Sequence, residues 1–210
     1  TSDLRSPSEL AAVRYLTERG IPRDDWWYYR LGVSMERRWN RRVIVPSFDS
    51  NGDVNYFVAR AVDKQTRPKY DNPDVDKLPI IFNESNVDWG SRLVLCEGAF
   101  DMMKCGDNVV ALLGSDINEQ SALFDSILLN NTPIALALDG DMWETKTLKI
   151  GKLLNSYGID VTLVDTRKFS DPGSTSKETF AVALAEAKPF KWESYFMTRL
   201  ERASRTSLHL

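Results

Sequence analysis

The chain has 210 residues, 42% of them hydrophobic and 27% charged, with a net charge of −3; this balance suits one large globular domain or two small ones. No apolar run approaches the roughly 18 residues that a membrane span needs, so no membrane partner and a cytoplasmic location are expected. Two cysteines, Cys96 and Cys105, and one near-terminal histidine, His209, exclude a four-ligand zinc site within the chain, argue against a disulfide scaffold, and leave no placed base for histidine chemistry.

The opening "TSDLRSPSEL" has neither the basic-then-apolar pattern of a signal peptide nor a Met, as expected of a piece cut from a longer chain. "SPSELAAVRYLTERG" begins with a capping signal and stops at Gly20. The spacing of Leu10, Val13 and Leu16, with Ala12, predicts a helix over 8–19. Four aromatics come next, Trp26 to Tyr29; they are expected mainly to pack the core or anchor a short helix, with stacking on nucleic acid as the functional alternative. In "RRVIVPSFDSNGDVNYFVARAVD" two β-rich runs flank Asn51-Gly52, which predicts antiparallel strands over 42–49 and 53–62. "KQTRPKYDNPDVDKLP" reads as loop. From Glu36 to Tyr70 there are eight basic residues against four acidic ones, a net of +4 in a chain of −3. A basic early segment and an acidic body suit a protein that holds an anion with one part and cations with another. The Arg37–Arg42 cluster suits a template backbone or a solvated turn.

The pattern changes near Arg92. "RLVLCEG", "NVVALLG", "PIALALD" and "IDVTLVDT" read as strands. "AFDMMKCG", "NEQSALFDSILLN" and "ETKTLKIGKLLNSYG" read as the helices between them. This alternation predicts βαβ units and a mainly parallel sheet covered on both faces. A helix is expected near Lys177 and a last amphipathic helix over "WESYFMTRLERA". No Walker A loop is present, so no ATPase motor is expected.

Sites in open parallel sheets form at the carboxyl ends of strands. Here three strands end in or run towards acids: Glu97-Gly98, Asp139-Gly140-Asp141 and Asp171-Pro172. If the extended path continued past Asp139, the period of two would put Asp139 and Asp141 on one side. At about 6 Å and an effective dielectric near 20 they repel by roughly 3 kcal/mol. A divalent cation offsets that, and Mg2+ or Mn2+ accepts such oxygen ligands together with substrate phosphates. The pair alone is a weak signal, since Asp74-Val75-Asp76 repeats it in the loop. The competing explanation is helix capping by these acids.

Glu97-Gly98 closing one strand and Asp139-Gly140-Asp141 closing another resemble the TOPRIM fold of primases, topoisomerases and related nucleases. "CEGAFDMM", with Asp101 four residues after Glu97, is similar to the primase glutamate motif. Leu113-Gly114-Ser115 and "FSDPG" look like two further primase motifs. "YLTERGIPRDDWWYYRLGVS", "VIVPSFDSNGDVNYFVAR" and "KYDNP" resemble, in order, segments of bacterial-type primases. Together these motifs, from about Leu10 to Phe180, look like the RNA polymerase core of a bacterial or phage primase. Two positions depart from the pattern: Met142-Trp143-Glu144 stand where the family has small residues, and Gly173 stands where it has a second acid.

The resemblance implies an α/β fold, α+β overall: a mainly parallel TOPRIM-type sheet flanked by helices, preceded by a smaller α+β subdomain with an antiparallel hairpin. The expected divisions are 1–91 for that subdomain, 92–189 for the catalytic subdomain and 190–210 for a C-terminal helix. It implies template-directed synthesis of short RNA from ribonucleoside triphosphates on single-stranded DNA. Glu97, Asp139 and Asp141 become the central acids. Asp139 and Asp141 bind two or more Mg2+ or Mn2+ ions with the nucleotide, with Asp171 and Asp101 further out. Glu97 is either a ligand or the group that helps deprotonate the 3′-hydroxyl. Arg60, Lys69, Tyr70 and Asn72, with Lys77 as a weaker candidate, would face nucleotide and template, although without the resemblance a solvated charged loop is the favoured explanation. A replicative helicase and a separate zinc-binding module are the implied partners. The alternatives are a TOPRIM nuclease and a non-catalytic nucleic-acid-binding module associated with a helicase; Lys69-Tyr70-x-Asn72 favours the primase over the first, and retention of the three acids favours it over the second.

Overall fold

The structure is a computed structural model describing residues 6–114, 116–140, 146–169, 173, 175–193 and 195–197. It divides into two compact units, Thr1–Ser85 and Asn86–Leu210.

In the first unit, α1 (Pro7–Glu18) starts where the capping signal stands. The Ser6 hydroxyl accepts from the Glu9 amide while the Glu9 carboxylate accepts from the Ser6 amide, which satisfies two donors that the first turn would otherwise leave open. The helix buries Ala12 and Leu16, but Leu10 is exposed. A second helix, α2 (Arg23–Tyr28), carries most of the aromatic quartet. Its aromatics divide: Tyr29 is buried and Trp26 half-buried, whereas Trp27 and Tyr28 are exposed. Two of the four, Trp26 and Tyr29, pack as expected, and the other two face outward, because a helix of under two turns has only one side to bury.

Strands β1 (Arg42–Phe48) and β2 (Val54–Ala61) form the expected antiparallel hairpin, with an irregularity at Ser47/Phe48. Gly52 supplies the positive φ at 86°, and the Asp49 carboxylate accepts from the Asn51 and Asp53 amides. The loop after β2 lies back along that strand. The Ala61 amide donates to the Lys69 carbonyl and the Asp71 amide to the Ala59 carbonyl.

The second unit is a five-stranded sheet in the order β4-β3-β5-β6-β7. Its strands are β3 (Leu93–Cys96), β4 (Val109–Ala111), β5 (Ile134–Ala137), β6 (Val161–Leu163) and β7 (Lys188–Pro189). The first four are mutually parallel where they pair, and β7 runs antiparallel to β6. Every residue of β3, β4 and β5 is buried, as expected of strands covered on both faces. The helices are α3 (Ala99–Met102), α4 (Ala122–Asn130), α5 (Leu148–Ser156) and α6 (Lys177–Ala185). α4 begins at Ser121, whose hydroxyl accepts from the Phe124 amide, and ends on Asn131 in the left-handed region at φ 48°. α5 buries Leu148, Ile150, Gly151 and Leu154; at Gly151 a Cβ would lie 2.8 Å from the Phe190 ring.

The short strand β7 was not anticipated. Of the last amphipathic helix, residues 192, 193 and 195–197 are helical, and Ser194 and 198–210 lie outside the described residues.

Candidate active site

β3 and β5 are adjacent and parallel, with Cys96 in register with Ala137. Glu97 and Asp139 therefore leave the sheet at the same, carboxyl end. The β4 connection closes over Glu97: the Leu112 amide donates to the Cys96 carbonyl and the Leu113 amide to the Glu97 carbonyl. This turn holds Leu113 at φ 53°, next to Gly114 at 76°, a conformation costly for a side-chain-bearing residue.

The carboxylate of Asp101 packs directly against Gly98. It accepts from the Gly98 amide at 2.9 Å, and a Cβ at Gly98 would lie 2.8 Å from that same oxygen. Asp101 thus caps α3 and fixes the Glu97-Gly98 turn. Gly140 is more constrained: a Cβ there would stand 3.0 Å from the Arg167 Cα, backbone that cannot rotate away. The Thr166 hydroxyl ties this crossing down by donating to the Leu138 carbonyl at 2.5 Å.

β5 ends at Ala137 and Gly140 already lies in a helical turn. The extended path is interrupted at Gly140, where the chain packs closely on Arg167. Asp141, Asp171 and Trp143 lie outside the described residues, as does Ser115. Among the described residues no three His, Cys, Asp or Glu side chains meet at one point to hold a metal.

The described acids nevertheless fit a hard divalent cation. Glu97 is half-buried; its Oε2 is buried with no hydrogen-bond partner, while Oε1 lies 3.5 Å from the Lys146 ammonium. A buried carboxylate oxygen without a donor costs free energy unless something cationic satisfies it. Cys96 Sγ donates weakly towards the Gly98 and Val110 carbonyls. Burial pushes its thiol well up, with further upward pressure from the Cys105 thiol and from the Asp101 and Asp139 carboxylates.

The basic residues form a patch in the first unit. The Arg60 guanidinium lies 4.7 Å from the Tyr70 ring and 5.9 Å from the Tyr15 ring, and the Lys69 ammonium is 5.8 Å from Tyr70. Asn72 accepts from the Ala59 amide at 3.0 Å, so its carboxamide oxygen holds the strap to β2. Neighbouring Asp71 is held by Arg38 at 2.7 Å and by Trp39, whose indole donates to the Asp71 carbonyl. The Lys77 ammonium sits 5.9 Å from the Tyr56 ring. Arg42 is buried almost completely and donates to the Ala59 carbonyl at 3.4 Å.

No family model matches the sequence. A curated DNA primase of Mycoplasma pneumoniae is 32% identical, with 59% of this chain and 22% of the relative aligned. The chain thus spans about a fifth of the length of the curated relative it matches. A solved DnaG primase catalytic domain bound to single-stranded DNA matches with a TM-score of 0.69 at 20% identity, over 89% of this chain and 76% of that one. The Aquifex aeolicus primase structure, of zinc-binding and RNA polymerase domains, matches with a TM-score of 0.70 at 22% identity, over 92% and 60%. The chain has the fold of DNA primase catalytic cores.

The primase-core fold is the one expected from the motifs. Two features of its site were not anticipated in the sequence. One is the buried Lys146, seven positions after Asp139, whose partner stands 49 residues earlier. The other is the contact of the Cys96 and Cys105 thiols beside the Glu97 turn. The Cys105 position after the short α3 was the only available hint of the second.

Proposed function

We propose that this chain is the catalytic core of a DNA primase, joining ribonucleoside triphosphates into short RNA on a single-stranded DNA template. The observation that carries this is Glu97, whose buried, donor-less Oε2 stands at the carboxyl end of a primase-core sheet, on the strand next to the one that ends towards Asp139. Glu97, Asp139 and Asp141 would hold Mg2+ or Mn2+, with Asp171 further out. Such cations supply charge neutralisation at both the attacking and the leaving oxygen of nucleotidyl transfer.

The chain's own residues do the remaining work. Asp101 keeps its place among the outer acids through the Gly98 turn, which it holds. Glu97 ligates or takes the proton of the attacking 3′-hydroxyl. Arg60 and Lys69 neutralise phosphates, and the half-exposed Tyr70 ring offers a stacking face. Asn72 and Lys77 complete that surface. A separate zinc-binding module, as in the Aquifex aeolicus structure, and a replicative helicase are the proposed partners.

The test is primer synthesis by the wild-type chain on single-stranded DNA with ribonucleotides and Mg2+ or Mn2+, with a zinc-binding module and helicase also supplied. RNA oligomers that disappear in Asp139→Ala or Asp141→Ala support the reading. Cutting of the DNA without any oligomer, under the same conditions, replaces it with a nuclease.

A further inference from the structure

Lys146 is the feature of the site that the primase reading leaves unused. Its side chain is only 7% exposed, and its ammonium lies 3.5 Å from Glu97 Oε1. Its position carries a penalty: an ammonium out of water is costly unless paired. Among the described residues the other buried lysine, Lys104, is felt by a different carboxylate, that of Glu178. A carboxylate is the natural compensation for Lys146, and Glu97 supplies it through Oε1.

We infer that Lys146 is the resident counter-cation of the acid seat: it holds Glu97 by Oε1, leaves Oε2 for a metal ion, and suppresses metal binding until a triphosphate arrives. The inference rests on the reading of Glu97 and Asp139 as a metal seat. With the ammonium in place, part of the negative charge that attracts a divalent cation is already offset. A nucleotide brings phosphate charge of its own and restores that attraction, so cation and nucleotide enter together. The coupling is reciprocal, as linkage requires. Lys146 is therefore a positioning residue that acts through Glu97.

The test is Mn2+ binding without nucleotide, measured by isothermal titration. Lys146→Met, nearly isosteric, should bind Mn2+ about tenfold tighter than wild type. Lys146→Gln should do the same, which guards against a folding defect peculiar to one variant. Lys146→Arg keeps the charge and should stay at the wild-type affinity. Unchanged or weaker Mn2+ binding by both Lys146→Met and Lys146→Gln overturns the inference, as does tighter binding by Lys146→Arg, which would mean simple loosening. Adding Asp139→Asn to Lys146→Met should abolish the gain. If tight binding survives that addition, the ion sits elsewhere and the metal-seat reading itself fails.

Discussion

The acids at the ends of β3 and β5 and the acids of the loop after β2 are the same residue types in opposite circumstances. Asp63 accepts from the Thr66 amide and hydroxyl and pairs with Arg41. Asp71 pairs with Arg38, and Asp76 accepts from the Leu78 amide. Local partners occupy each of these carboxylates. Glu97 instead keeps one oxygen buried and without a donor, with a buried lysine on the other. What marks a candidate site is thus burial combined with unused hydrogen-bonding capacity, which the pattern Asp-x-Asp does not encode.

The largest expected effect comes from that contrast. Asp139→Asn should lower primer synthesis about a thousandfold or more, while leaving the melting temperature within a few degrees; Glu97→Gln should lower it as far but also melt earlier, because it leaves the buried Lys146 ammonium without its partner. Asp74→Asn and Asp76→Asn, in exposed loop, should change neither rate nor stability appreciably. Comparable losses in the two regions would break the distinction. The glycines sharpen it further. Gly140→Ala must displace the Arg167 backbone; it should cost about 1–3 kcal/mol and, by moving Asp139, up to about a hundredfold in rate. Gly52→Ala at φ 86° should cost about 1 kcal/mol with the rate unchanged. Urea melts and primer yields read both.

Much of this was legible in the sequence for a physical reason. Parallel strands buried on both faces are apolar throughout, so "LVLC", "VVA" and "IALA" announced themselves, and the acids after "LVLC" and "IALA" marked the carboxyl ends of those two. Asn51-Gly52 marked the hairpin because the turn needs one residue that tolerates positive φ. β7 escaped because its two residues, Lys188 and Pro189, make a strand only by pairing with β6. The exposure of Trp27 escaped because four adjacent aromatics have no period to read. Lys146 escaped because its burial is decided by Glu97, far away in the chain. The glycine of Asp-Gly-Asp was visible, but its cause, the Arg167 backbone, was not.

A smaller effect is expected in the basic patch. Arg60 contacts Tyr70 and Tyr15 through their rings and carries charge without belonging to the acid site. Arg60→Ala should weaken single-stranded DNA binding by several-fold and reduce the salt slope by about one. The rate at saturating DNA and nucleotide should be retained. Fluorescence anisotropy at several salt concentrations, beside saturated rates, measures both. A collapse of the saturated rate would make Arg60 part of the chemistry.

The smallest effect concerns the loop acids themselves. The Arg38 hydrogen bond holds the Asp71 carboxyl below its ordinary value of 3.8, against the opposing pull of desolvation. A folded-state value below the unfolded one stabilises the fold above the ordinary value, and this contribution is lost as pH falls through the depressed one. Arg38 is 54% exposed, so solvent screening keeps this contribution small. Arg38→Ala should therefore melt slightly earlier than wild type at pH 7, and the gap should close well below pH 3.8. Arg38 also lies over the Trp39 ring at 5.0 Å, a contact indifferent to Asp71 protonation. A gap that persists undiminished in acid would assign the stabilisation to that stacking, and the ion pair would then contribute nothing beyond setting the geometry of the strap.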